Sequence, residues 1–123
     1  LFRSVKITYP WKLTLGDYAW VGDDAVLYTL GEITIGANSV VSQKCYLCTG
    51  SHDFMSQHFD ITASPIVIGE KCWLATDVFV APGVSVGDGT VVGARSSVFK
   101  SLPANKICRG NPAVVIRERV ETD

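Results

Sequence analysis

The sequence predicts an all-β solenoid, a parallel β-helix wound from six-residue repeats, with one excursion loop and a short C-terminal helix. An aliphatic residue returns every six positions: Ile68, Leu74, Val80, Val86, Val92 and Val98. A small residue follows most of them (Gly69, Ala75, Ala81, Gly87, Gly93). From Leu74 onward a small or β-branched residue stands two positions before each: Cys72, Val78, Val84, Thr90 and Ser96. A period of six matches neither the helical 3.6 nor strand alternation. It is the mark of repeats in which each hexad makes a short strand and a turn, three hexads closing a triangular coil of about eighteen residues. Chance does not readily place six aliphatics in phase in a chain that is 47% hydrophobic.

The 123 residues are expected to form one domain, 1–123, large enough to bury a core. The chain begins at Leu1 rather than Met, which reads as N-terminal truncation or processing. A net charge of −1 argues against a protein built to coat nucleic acid or an anionic membrane. No apolar run approaches the ~18 residues a transmembrane helix needs, and no signal-peptide pattern is visible. Cys45 and Cys48 formally make a C-x-x-C pair, open to a redox or half-zinc reading. No second pair completes a metal site. Cys45 and Cys72 also fall in the small inward slots, where a thiol acts as a small hydrophobe. All four cysteines, with Cys48 and Cys108, therefore read as reduced thiols of a cytosolic protein.

Taken in order, residues 1–14 hold apolar residues without register, as a degraded first coil or an arm packed on one, and Tyr9-Pro10 bends the chain. The six-residue beat starts at Leu15, Val21 and Leu27, slips by two at Thr29–Glu32, and resumes at Ile35, Val41 and Leu47. It then stops until Ile66. The gap, a loop of about 49–65, carries both histidines, His52 and His58, with Asp53, Phe54, Met55 and Phe59. Long loops in compact domains tend to be functional or disordered, and the aromatic anchors favour order. The array ends at Val98. Pro112 suits the first turn of a helix over about 112–121, placed to lie across the open end of the stack or along a face.

The motifs Tyr9-Pro10-Trp11-Lys12-Leu13, Trp20-Val21-Gly22-Asp23-Asp24, Thr49-Gly50-Ser51-His52-Asp53, Trp73, Pro82-Gly83-Val84 and Gly110-Asn111-Pro112-Ala113 span nearly the whole chain. Together they resemble the hexapeptide-repeat sugar O-acetyltransferases, and within them the colanic acid biosynthesis group of bacterial exopolysaccharide pathways. The resemblance implies a left-handed β-helix, an exception to the usual right-handed crossover. It also implies a homotrimer with active sites between subunits, acetyl-CoA as co-substrate without a metal, and a sugar or lipid-linked saccharide as acceptor.

Acetyl transfer to a hydroxyl needs a base, and an imidazole at the root of a loop suits that task. His52 is the expected catalytic base, and His58 a substrate contact or an exposed residue. Asp53 is a candidate for orienting substrate. Trp73 occupies an outward hexad position. It reads either as a wall for sugar or pantetheine, which the resemblance favours, or as a side chain packed beneath the loop. By family correspondence the Thr76 N–H would face the thioester oxygen. Ala94, Phe99, Lys100 and Arg117 would line the acetyl-CoA site, the two cations meeting phosphates. Lys106 and Arg109 are weaker candidates. Maltose- and galactoside-type enzymes carry an asparagine where this chain has Gly22. The neighbouring Asp23 and Asp24 read either as acceptor contacts or as solvated turn residues.

The expectation is thus an acetyl-CoA-dependent O-acetyltransferase acting on a polysaccharide precursor in the cytoplasm, with the inner face of the membrane as an alternative setting. The rivals are a xenobiotic acetyltransferase of the same mechanism and a non-catalytic assembly subunit. A γ-type carbonic anhydrase would need three histidine ligands, and this chain has two histidines.

Overall fold

The computed structural model describes residues 4–120. Readings that touch residues 1–3, or residue 121 at the end of the expected helix, lie outside the described residues. The chain winds into a triangular prism with three parallel walls. The first wall stacks Lys6–Ile7, Val26–Tyr28, Tyr46–Cys48, Phe79–Val80 and Ser97–Val98. The second stacks Leu13–Leu15, Ile33–Ile35, Ile66–Ile68 and Ser85–Val86, with Leu102 bridging to Val86. The third stacks Trp20–Val21, Val40–Val41, Trp73–Leu74, Val91–Val92 and Lys106–Gly110. Residues 4–15 therefore build a worn first coil and not an arm packed on one.

The beat of six is a rule about burial. Leu27, Leu47, Val80 and Val98 form one inward row, and Val21, Val41, Leu74, Val92 and Cys108 another, all at most 2% exposed. Register holds each inward residue above its counterpart, as in Ile35↔Ile68↔Val86. The small slots hold Ala25, Cys45, Cys72, Val78 and Ser96, also buried. Buried hydroxyls there serve neighbouring coils. Ser39 Oγ donates to the Gly69 carbonyl at 2.6 Å and accepts from the Cys72 N–H at 2.9 Å. Among the described residues no buried side-chain polar atom lacks a partner.

Corners repeat too. Where the third wall turns into the first, Asp24, Lys44, Asp77 and Arg95 all sit near φ +60°, a conformation that turns the chain sharply. Where the second wall turns into the third, coils meet so closely that a Cβ on Gly36 would lie 2.6 Å from the Gly69 carbonyl carbon.

The edge between the first and second walls collects the departures from the beat. In the lowest coil it holds a 3-10 turn, Pro10–Lys12. In the next it absorbs the two-residue slip, with buried Thr29 bonded through Oγ1 to both the N–H and the carbonyl of Tyr9. One coil higher the 49–65 loop leaves. It is not irregular throughout, because Gly50–His52 pairs antiparallel with Ile61–Ala63. Buried Thr49 pins its root, donating to the Tyr28 carbonyl at 2.5 Å and accepting from the Gly31 N–H at 2.8 Å.

The expected C-terminal helix is not formed. Ala113–Glu118 is a strand, antiparallel to Lys106–Gly110 on the rim of the third wall, with Asn111-Pro112 as the turn. Three consecutive β-branched residues, Val114, Val115 and Ile116, favour an extended chain, and the rim strand offers unpaired backbone groups that a helix would leave bare. The three side chains are exposed, so they cover neither the open end of the stack nor a face of it as the expected helix would. Arg119 ties the strand's end down through bonds from one guanidinium nitrogen to the Lys71 and Gly89 carbonyls, each 2.9 Å.

All four cysteines are free, with Cys45, Cys72 and Cys108 buried and Cys48 partly so. Burial pushes the Cys45 thiol up from 9.0 to about 11 and raises Cys72 and Cys108 as well. Ellman's reagent at pH 8 should accordingly modify Cys48 first and reach the other three only on unfolding. An unfolded chain releases the Cys45 proton near 9.0 while the fold keeps it to about 11, so stability should fall as pH rises through that window. The urea midpoint should drop between pH 8.5 and 10.5, and Cys45→Ala should lessen the drop.

Candidate active site

The parallel stack positions backbone groups at each edge at strand spacing, about 4.8 Å apart. On the outer face of the third wall, near its turn into the first, lies an open cleft of about 480 Å³. Ser42 and Gln43 line it from one coil, Trp73, Ala75 and Thr76 from the next, and Val91, Gly93 and Ala94 from the one after. The hexad rhythm is what makes it concave, since each rung contributes a small residue just after its inward aliphatic.

Trp73 is half exposed, and its indole N–H donates to Ser42 Oγ at 2.9 Å. That bond fixes the edge of the ring and leaves a face to the cleft. No loop residue lines the cleft, so Trp73 serves as a wall here and does not pack beneath its own chain's loop. Thr76 donates its hydroxyl to the Gln43 carbonyl at 3.1 Å, and its own carbonyl accepts from the Arg95 N–H at 2.9 Å. Among the described residues neither the Thr76 nor the Ala94 N–H donates to anything. Both are available to a ligand in the cleft, which suits a developing oxyanion or an amide-bearing arm.

His52 stands apart from this cleft. It ends the first strand of the loop hairpin, exposed, on the edge between the first and second walls. Its Nδ1 lies 2.8 Å from the Phe59 carbonyl. A carbonyl can only accept, so Nδ1 carries a proton, and in the neutral ring that leaves the lone pair on Nε2. The imidazole is thus oriented by a backbone oxygen across the hairpin, not by the adjacent Asp53. The Asp53 carboxylate instead accepts from the Met55 N–H at 3.0 Å and shapes the loop tip. His58 is exposed on the same loop.

The structure brings Trp73, Thr76 and Ala94 together and sets Asp24 on the same edge two coils below Thr76. It does not gather the rest in one chain. Phe99 continues an aromatic ladder on the first wall, 5.9 Å from Phe79, which in turn lies 5.8 Å from Tyr46. Lys100 follows at the turn toward the second wall, whereas Arg117 lies on the added strand opposite Ile107. Lys106 is engaged by Glu118. Ser42, Gln43 and the Phe59 carbonyl are the site groups that sequence reasoning misses. Among the described residues no three His, Cys, Asp or Glu side chains gather as a metal site would require.

Comparison with known proteins agrees with this architecture. Residues 65–100 match the family described as bacterial transferase hexapeptide (six repeats). An Escherichia coli (strain K12) protein named as a colanic acid biosynthesis acetyltransferase, WcaF, is 88% identical over 120 residues, covering 98% of this chain. The chain spans 66% of that relative's length. Among solved structures, a galactoside acetyltransferase in complex with coenzyme A superposes with a TM-score of 0.92 at 27% identity, over 98% of this chain and 62% of that one. A hexapeptide-repeat acetyltransferase from Vibrio cholerae O1 biovar eltor, complexed with acetyl coenzyme A, gives 0.90 at 25% identity, over 95% and 66%. The coil is accordingly the left-handed parallel β-helix of these structures. The chain belongs to the hexapeptide-repeat transferases and over almost its whole length is similar to a colanic acid biosynthesis acetyltransferase.

Proposed function

We propose that this chain is an acyltransferase domain that moves an acetyl group from acetyl-CoA to a sugar hydroxyl of a polysaccharide precursor. The observation that carries the reading is the His52 ring, held through Nδ1 by the Phe59 carbonyl so that Nε2 is left to act as the base. Two relatives support the donor, a galactoside acetyltransferase solved with coenzyme A and a Vibrio cholerae enzyme solved with acetyl coenzyme A. The name of the 88% identical relative supports the polysaccharide setting.

Acetyl-CoA supplies the acetyl group as a thioester. The cleft suits its narrow arm: small Gly93 and Ala94 allow close approach, and the spare N–H groups of Thr76 and Ala94 can meet polar atoms along it. His52 Nε2 takes the acceptor's hydroxyl proton as that oxygen attacks the thioester carbon. The Thr76 N–H faces the carbonyl oxygen as charge builds there. The C–S bond breaks, and the imidazolium returns the proton to the departing sulfur. Lys100 and Arg117 hold the phosphates, Phe99 flanks the cofactor groove, and Asp24 and Asp53 lie toward the acceptor.

Because His52 and the cleft stand on different edges of the prism, a complete site in this proposal needs two copies. A homotrimer supplies three such junctions. The four free cysteines and the use of acetyl-CoA suit the cytoplasm. No helix of the described residues is long and apolar enough to cross a membrane.

His52→Ala should keep trimer mass and coenzyme A binding while acetyl transfer, read as thiol release, falls by ~10²-fold or more. Undiminished turnover would remove His52 from the mechanism. Lys100→Glu with Arg117→Glu should raise the KM for acetyl-CoA steeply, with an unchanged value placing the phosphates elsewhere. His52→Ala and Ala94→Trp, each inactive alone, should regain activity when their subunits are unfolded and refolded together. Silence in the mixture would mean that each chain completes its own site.

A further inference from the structure

The third wall carries a feature that the transfer chemistry leaves unused. Trp20, Val40 and Trp73 are register partners on its outer face, one rung above another. Both tryptophans present large exposed surfaces, 45% and 50%, with the smaller Val40 between them. Two rungs separate them, roughly 9.5 Å at ordinary strand spacing. Trp73 is the wall of the cleft, so the aromatic strip is continuous with it. Polar groups border it along the edge that follows: Asp23 and Asp24 beside Trp20, then Gln43 and Lys44 one coil on, all exposed.

From this strip, and resting on the acetyltransferase reading, we propose that the acceptor is a neutral oligosaccharide laid along the third wall, with Trp20 as a second sugar subsite below the cleft. Sugars show C–H-rich faces to aromatic rings and hydroxyls to carboxylates and amides, and the strip offers both side by side. The spacing of the tryptophans exceeds what one sugar ring can bridge, so a single residue stacked on Trp73 leaves Trp20 empty. Two adjacent carboxylates at Trp20 repel the diphosphate of a nucleotide sugar. The portion bound there is therefore uncharged.

The test measures kcat/KM with acetyl-CoA for neutral gluco- and galacto-oligosaccharides of one to four units, alongside the corresponding nucleotide sugars. The proposal expects an efficiency at least about tenfold higher for three units than for one. Trp20→Ala should collapse that ratio toward one, and Trp20→Phe should restore most of it. The mass of each variant is read in parallel. A ratio near one in the wild-type protein, a ratio that survives in Trp20→Ala, or a preference for nucleotide sugars would overturn it. So would loss of the oligomer in Trp20→Ala, which would make the strip a contact between copies. Absence of thiol release with every acceptor, together with no binding of coenzyme A, would instead sink the transferase reading itself.

Discussion

Coil must sit on coil at the spacing of hydrogen-bonded strands, and every other property of the molecule follows from that contact. At about 4.8 Å between rungs each inward side chain touches its counterparts above and below, and the core becomes rows of aliphatics such as Val21, Val41, Leu74 and Val92. The same spacing leaves no room at the tightest corners, hence Gly36 against the Gly69 carbonyl carbon at 2.6 Å from where a Cβ would stand. Burial and close approach together dictate a six-residue code in which three positions are constrained, the inward aliphatic, the small residue after it and the small buried residue two before it, and the others are free to face outward.

Those outward positions are where chemistry is placed. A wall built this way is rigid, and it sets out N–H groups, small side chains and indoles at regular intervals. The cleft beside Trp73 is a direct product of that regularity. A base must be presented differently, because an imidazole that takes and returns a proton needs to be exposed and correctly tautomerised at once. The hairpin of the 49–65 loop meets both demands, since the Phe59 carbonyl fixes the ring from behind while its other nitrogen faces solvent. In the proposed mechanism, donor groove and base thus come from two kinds of structure, one periodic and one local.

How much of this is legible in the sequence follows the same division. The inward rows are readable because burial recurs at one chain interval, and the loop is readable as the place where the interval fails. His52 stands out because the motif around it and the position of the loop coincide. The terminal strand is misread because Pro112 is a local signal for a helix start, whereas the partner that makes Ala113–Glu118 extended is a rim strand whose free backbone groups leave no mark in the side chains. The Phe59 carbonyl is hidden for the same reason, as any residue at that place in the hairpin would supply it. Ser42 could have been found: it occupies a slot usually filled by Gly or Ala, and its hydroxyl is what holds the indole.

The gathering of every irregularity on a single edge has an evolutionary corollary. Two edges of the prism keep its pitch, so the third can lengthen or shorten without disturbing the stack, and the penalty for closing a longer loop grows only with the logarithm of its length. Descendants of such a scaffold can lengthen or rewrite that edge alone, while the stacked walls and the cleft between their rungs stay as they were.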